Sequence, residues 1–192
     1  DDGGRSWKKF SPLPDVNVRE PNELKVTQDP SGRVIMVVGL QPDTKKEDLV
    51  VAVSEDGVRF GKPERLDSGP PHVSTSTNPD VVADGEGRIV VGWQDLRTFR
   101  TGIYLNYSTD GGKTWLGRDV RLGSAGTRHQ TNLRMLPDGQ GGFHLLWVGY
   151  KGEKPTQAKA YIAHYERGNF PRAADDPAPD EDLKAGHLPP NF

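Results

Sequence analysis

The residues best suited to chemistry fall in polar stretches. Trp93-Gln94-Asp95-Leu96-Arg97 sets a carboxylate two positions from a guanidinium, Arg100 follows closely, and Arg128-His129-Gln130 adds a cation beside an imidazole. An aspartate supplies a general acid or base, and an arginine offers two parallel N–H donors that grip a carboxylate bidentately. Asp95, Arg97, Arg100, Arg128 and His129 are therefore the candidate ligand-binding residues. His72 in the 67–77 loop, and Arg19, Glu20 and Glu23 in the polar stretch before residue 24, are further candidates. A plainer reading pairs Asp95 with Arg97 or with loop backbone, leaves Arg100 solvated and makes the histidines ordinary loop residues. No His-Glu-x-x-His and no close histidine pair suggests a metal, and no cofactor is expected.

What positions these loops is a repeat. Ser108-Thr109-Asp110-Gly111-Gly112-Lys113-Thr114-Trp115 reads as a turn in which the aspartate accepts backbone N–H groups, the glycines supply positive φ, and Ser108 and Thr114 add hydroxyl bonds. Trp115 then opens the next strand and buries its ring between packed sheets. Asp2-Gly3-Gly4-Arg5-Ser6-Trp7 and Ser54-Glu55-Asp56-Gly57-Val58-Arg59-Phe60 repeat the unit, with Asp2, Asp56 and Asp110 spaced by 54 and 54 residues. A decayed copy runs from His164 to Phe170. Gly32, Gly87 and Gly142 keep an independent period of 55 and 55, and Trp93 and Trp147 are 54 apart.

The pattern Ser-x-Asp-Gly-Gly-x-Thr-Trp at residues 108–115 resembles the Asp-box, or BNR repeat, of sialidases and related β-propellers. The resemblance covers most of residues 1–170 and implies an all-β propeller of four-stranded antiparallel blades, with the box in the turn between the third and outermost strands. It makes Asp2, Ser54, Asp56, Ser108, Asp110, Gly112, Thr114 and Trp115 structural. It also implies an extracellular or periplasmic protein.

Composition agrees with many short strands and turns. Of 192 residues only 33% are hydrophobic, while Gly and Pro number 23 and 16. A formal net charge of −2 and the lack of any basic run longer than Lys8-Lys9 or Lys45-Lys46 argue against nucleic acid. There is no cysteine, hence no disulfide framework and no thiolate nucleophile. No apolar run approaches the roughly 18 residues of a membrane span, and no signal peptide is present. Because the chain opens inside a box, its natural start is expected upstream.

In order, residues 8–13 are expected as an outer strand and residues 24–27 as an inner strand. The runs 33–38 and 49–53 continue the first full blade. The second blade runs through 79–83, 88–93 and 103–107 into the complete box, and the third through 133–136, 143–148 and 160–165 without its outer strand. Twelve strands, about three blades, are thus expected of a six-bladed or larger propeller. Residues 171–192, charged and proline-rich, are expected as an extended tail. Gly85-Glu86-Gly87 and Gly139-Gln140-Gly141 are hairpin turns, since neither opens a helix. Asn106-Tyr107-Ser108 is a formal glycosylation triplet, but it lies on a strand.

If the boxes lie at the lower rim, the loops at 67–77, 93–101 and 123–132 share the opposite, upper face, as loops on a rigid scaffold that carry function. Two functions follow. One is a non-catalytic propeller that binds a protein or glycan, or serves as a structural subunit of an extracytoplasmic assembly. The alternative is part of a sialidase-like exo-glycosidase, for which Asp95, Arg97 and Arg100 are the catalytic candidates on the resemblance. The first is favoured because Tyr104-Leu105-Asn106-Tyr107-Ser108 lacks the arginine that closes the family's Tyr-x-Asn-x-Arg motif, and no Phe-Arg-Ile-Pro-like segment is present. The expected partners are the remaining blades or a second copy of the chain.

Overall fold

The computed structural model describes residues 21–40, 48–68, 75–96, 100–122, 127, 129–151 and 156–170. Among these residues eleven strands form three antiparallel sheets. The first sheet is β1 (Pro21–Gln28), β2 (Val34–Leu40), β3 (Asp48–Ser54) and β4 (Glu64–Arg65). The second is β5 (Ser76–Ala83), β6 (Ile89–Asp95), β7 (Gly102–Ser108) and β8 (Val120–Arg121). The third is β9 (His129–Pro137), β10 (Phe143–Tyr150) and β11 (Lys159–Tyr165). Within each sheet the spatial order follows the chain, so successive connections alternate between two ends. The turns after the first and third strands lie at one end, called lower here. The connections after the second and fourth strands lie at the upper end.

The expected strands that fall within the described residues are present, and the inner ones begin earlier than hydrophobicity suggests. β5 starts at Ser76 and β9 at His129, so His129 and Gln130 belong to a strand and not to the expected 123–132 loop. Asp95 likewise ends β6. The polar runs Ser76-Thr77-Asn78 and His129-Gln130-Thr131-Asn132 conceal these starts because each contains a bulge. Asn78 and Asn132 adopt φ of 49° and 56°, a left-handed conformation that asparagine tolerates, and the register slips beside them.

Two apolar seams join the sheets. Ile35, Val37, Leu49 and Val51 of the first sheet meet Val81, Val91, Trp93 and Tyr104 of the second. Val82, Val90, Ile103 and Leu105 on the far side of the second sheet meet Leu133, Met135, Phe143, Leu145 and Trp147 of the third. Gly92 makes the second seam tight: a Cβ there would stand 2.5 Å from Leu133 Cδ2 and 2.8 Å from Leu105 Cδ2. Trp93 is completely buried and Trp147 nearly so. Trp115 differs from expectation. It lies in irregular chain, half-buried against the first seam, because the outer strand of its sheet is only the two residues of β8.

At the lower end the turn after β7 closes on Asp110. Its Oδ1 accepts the N–H groups of Lys113 and Thr114 at 3.0 and 2.9 Å and the Ser108 hydroxyl at 2.8 Å, while Oδ2 accepts the Thr114 hydroxyl at 2.6 Å. The Thr114 hydroxyl leads the bonds that hold this carboxyl near pKa about 2. Asp56 accepts Val58 N, Arg59 N and the Ser54 hydroxyl in the same way after β3. Gly112, at φ 87°, lets this turn press on the first sheet, since a Cβ would stand 2.6 Å from Val53 Cγ2. Asn106 is buried and its amide binds Leu66 O, Leu116 O and Leu116 N, which withdraws the glycosylation triplet from solvent. Asp2, Trp7, the 8–13 strand and the 171–192 tail fall outside the described residues.

Candidate functional site

The upper end of the first seam gathers buried polar groups. Ser76, the first residue of β5, donates its hydroxyl to Asp95 Oδ2 at 3.0 Å and lies 3.4 Å from Asp67 Oδ2. One serine therefore stands between two carboxylates that belong to different stretches of chain. Asp95 is only 1% exposed and also lies 3.4 Å from Trp93 Nε1. Asp67, equally enclosed, takes a bidentate grip from Arg65 at 3.1 and 2.9 Å and the Leu49 N–H at 3.2 Å. Burial nevertheless pushes its carboxyl above the usual aspartate range, because the Arg65 pairing only partly offsets the lost hydration. Asp48 completes the group at 3.4 Å from Arg65. Close by, Asp119 accepts the N–H and hydroxyl of Ser68.

The expected site residues divide between the two seams. Asp95 belongs to the first. His129 belongs to the second, where its Nδ1 lies 3.4 Å from Thr101 N and its ring stacks on Tyr150 at 5.0 Å. Gln130 N donates to Thr101 O at 2.7 Å and Gln130 Oε1 accepts from Ile103 N at 3.3 Å, which fastens β9 to the start of β7. Arg100 sits half-buried at that same start. Asp95, Arg100 and His129 thus share the upper end of the second sheet and engage different neighbours. Arg97, Arg128 and His72 lie outside the described residues. Nothing among the described residues forms a group of three or more ligating side chains able to hold a metal.

Sequence reasoning missed Asp67, Ser76 and Arg121. The last is buried at the end of β8, in register with Tyr104. A signal existed for Arg121: Arg65-Leu66 and Arg121-Leu122 follow the two boxes 56 residues apart. The lower end holds two open clefts of about 420 and 390 Å³, the first lined by Glu86, Arg88, Tyr107, Thr109, Gly168 and Phe170. Glu86, which lines both, pairs to Arg88 and to Arg167, and the buried upper carboxylates are the better candidate for chemistry.

No protein-family model matches the chain, and no curated protein matches it. Solved structures do. The chain is similar to the α-L-arabinanase of Penicillium chrysogenum complexed with arabinobiose, at 13% identity and TM-score 0.53 over 75% of this chain and 46% of that one. It is similar to the polysaccharide lyase Uly1 at 13% identity and TM-score 0.51, over 74% and 38% of the two chains. A PL25 ulvan lyase matches at 11% identity and TM-score 0.51, over 76% and 41%. At these identities the likeness is one of fold: the three sheets are blades of a β-propeller. The chain spans less than half the length of each of these proteins.

Proposed function

We propose that this chain supplies part of a carbohydrate-active β-propeller whose upper face takes a saccharide. The observation that carries the reading is the Asp67–Ser76–Asp95 constellation: carboxylates enclosed at the upper end of a seam, one with its pKa raised, as acid/base sites require. The fold shared with two polysaccharide lyases and an arabinanase supports it. Asp95 and Asp67 already hold Ser76 between them, so in this chain they orient a wall of the site. Bond cleavage belongs to the complete propeller, with the other blades provided by a longer chain or by a second copy. The same reading takes the turns at 54–60 and 108–115 as Asp-boxes and places the protein outside the cytoplasm, where polymeric glycans are met.

Calorimetry with neutral and acidic oligosaccharides tests the proposal. Saccharide affinity that falls at least tenfold in Asp95→Asn, with the fold kept, is expected. Binding unaffected by Asp95→Asn and by Ser76→Ala would remove the upper face from consideration. A sialidase is the narrower version. Its expected result is no release from an aryl sialoside by this chain alone, since Ser108 stands where that motif has arginine.

A further inference from the structure

We propose that Arg121 anchors a carboxylate-binding site at the upper end of the second blade, so that the saccharide taken there is an acidic one, a uronate or another carboxylated sugar. The ligand class rests on the saccharide reading above. The site itself rests on a comparison of the first two blades.

Arg65 and Arg121 occupy equivalent places. Each ends the short outer strand of its blade and pairs in register with the third strand, Arg65 with Val50 and Arg121 with Tyr104. The following leucine makes the same bond in both, Leu66 N to Leu49 O and Leu122 N to Ile103 O, each at 2.8 Å. In the first blade the guanidinium is neutralised twice. Asp67, two residues on, takes Nε and Nη2, and Asp48, at the start of the third strand, lies against Nη2. The corresponding positions in the second blade are Gly123 and Gly102. The cation has been kept while both of its carboxylates are replaced by glycine.

The burial of Arg121 makes this more than an exposed spare charge. The residue is 8% exposed, and its Nε is enclosed with no hydrogen-bond acceptor. Among the described residues no carboxylate lies within ion-pair distance of its guanidinium. Neighbouring acids are committed elsewhere, Asp119 to Ser68 and Asp95 to Ser76. Burying an unpaired guanidinium is strongly unfavourable. A fixed donor fork of this kind matches the two oxygens of a carboxylate. Gly102 gives the fork its room: a Cβ there would stand 3.1 Å from Arg121 Nε and 3.3 Å from the Tyr104 ring. A ligand carboxylate set on Arg121 as Asp67 is set on Arg65 would receive two parallel N–H bonds beside that ring.

The test follows the Arg121 Nε–H resonance of the full chain by NMR, identified by its loss in Arg121→Lys. The chain is titrated with digalacturonate, with neutral galactobiose and with acetate. Saturable shifts with digalacturonate are expected, with at least tenfold weaker binding of galactobiose. Arg121→Gln should lose at least tenfold in uronate affinity while its melting temperature does not fall, since no internal ion pair is broken. Should Arg121→Gln unfold, Arg121→Lys, which keeps the charge and loses the fork, is read for the same loss. Acetate binding as tightly as digalacturonate would assign the site to small free carboxylates and overturn the acidic-sugar inference. Equal binding of both sugars with Arg121 unmoved would overturn it and leave the saccharide reading standing. Absence of binding by either sugar would remove both.

Discussion

His164 Nε2 lies 2.9 Å from Asp138 Oδ2, in the place where the other two blades put an arginine. Asp29, Asp84 and Asp138 open equivalent turns after the inner strands, each accepting two backbone N–H groups through Oδ1. The second oxygen takes Arg33 in the first blade and Arg88 in the second. The third has Gly142 at that position, and the imidazole comes instead from the end of β11 across the sheet. This ties the third strand to the inner turn.

An acid-stability prediction follows from these turns. The His164 bond, followed by the N–H groups of Gln140 and Gly142, lowers the Asp138 carboxyl to a pKa of about 2, and Asp110 is lowered to about 2 by Thr114, Ser108 and backbone. Both sit below the value of 3.8 in the unfolded chain. Their contribution is therefore complete above about pH 4 and lost as pH falls to about 2. Melting temperature should drop across that window, and the drop should be shallower in Asp138→Asn and in Asp110→Asn. A profile as steep in both variants as in the parent would contradict this.

The tryptophans separate by burial. Trp93→Ala empties a fully enclosed site in the first seam and should cost about 3–5 kcal/mol. Trp115→Ala, half-buried in irregular chain, should cost about 1–3 kcal/mol. Chemical denaturation of the two variants ranks them directly, and an equal or reversed order would be inconsistent with the seam described above.

Much of this architecture was legible in the sequence because it repeats. The period of 54 to 55 residues located every long strand among the described residues. The upper site was harder to read. His129 and Ser76 sit in polar, bulged strand starts that carry no hydrophobic alternation, so they read as loop. Asp67 lies two residues from Arg65, but its place in the site comes from Ser76, a contact made across sheets that local pattern does not encode. Arg121 carried a periodic signal, but its meaning lies in what its repeat partner has and it lacks, which required knowing that the two arginines occupy the same position.

Gly92 offers a test of seam spacing. Adding one methyl there meets Leu133 and Leu105 well inside contact distance, so Gly92→Ala should destabilise the chain by about 1–3 kcal/mol. Neutral behaviour would mean that the second and third blades stand further apart. The paired change Gly92→Ala with Leu133→Val should recover part of the loss if the contact is the cause.

The last expectation concerns the two ends of the stack. On the side of the second blade that meets the third, the contacts come from Val82, Val90, Ile103 and Leu105. The third blade turns the same side outward with no neighbour among the described residues, and there Leu136, Leu146 and Ile162 stand exposed, Ile162 at 68%. The first blade exposes Leu24 and Val26 on its far side, where the second blade uses the equivalent Val81 for its first-seam contact. Each end therefore presents the apolar set by which a neighbouring blade is recognised, and among the described residues β11 adds an open strand edge. Such surfaces associate in water. The isolated 192-residue chain should not behave as a monodisperse monomer. Light scattering should report a dimer if two copies close the ring, or larger species if the ends are met only by blades of a longer chain. Ile162→Asp places a charge on the outward face, where it touches no seam, and should shift either species toward monomer without lowering the melting temperature. A cooperative, monodisperse parent monomer would show that the end faces need no covering.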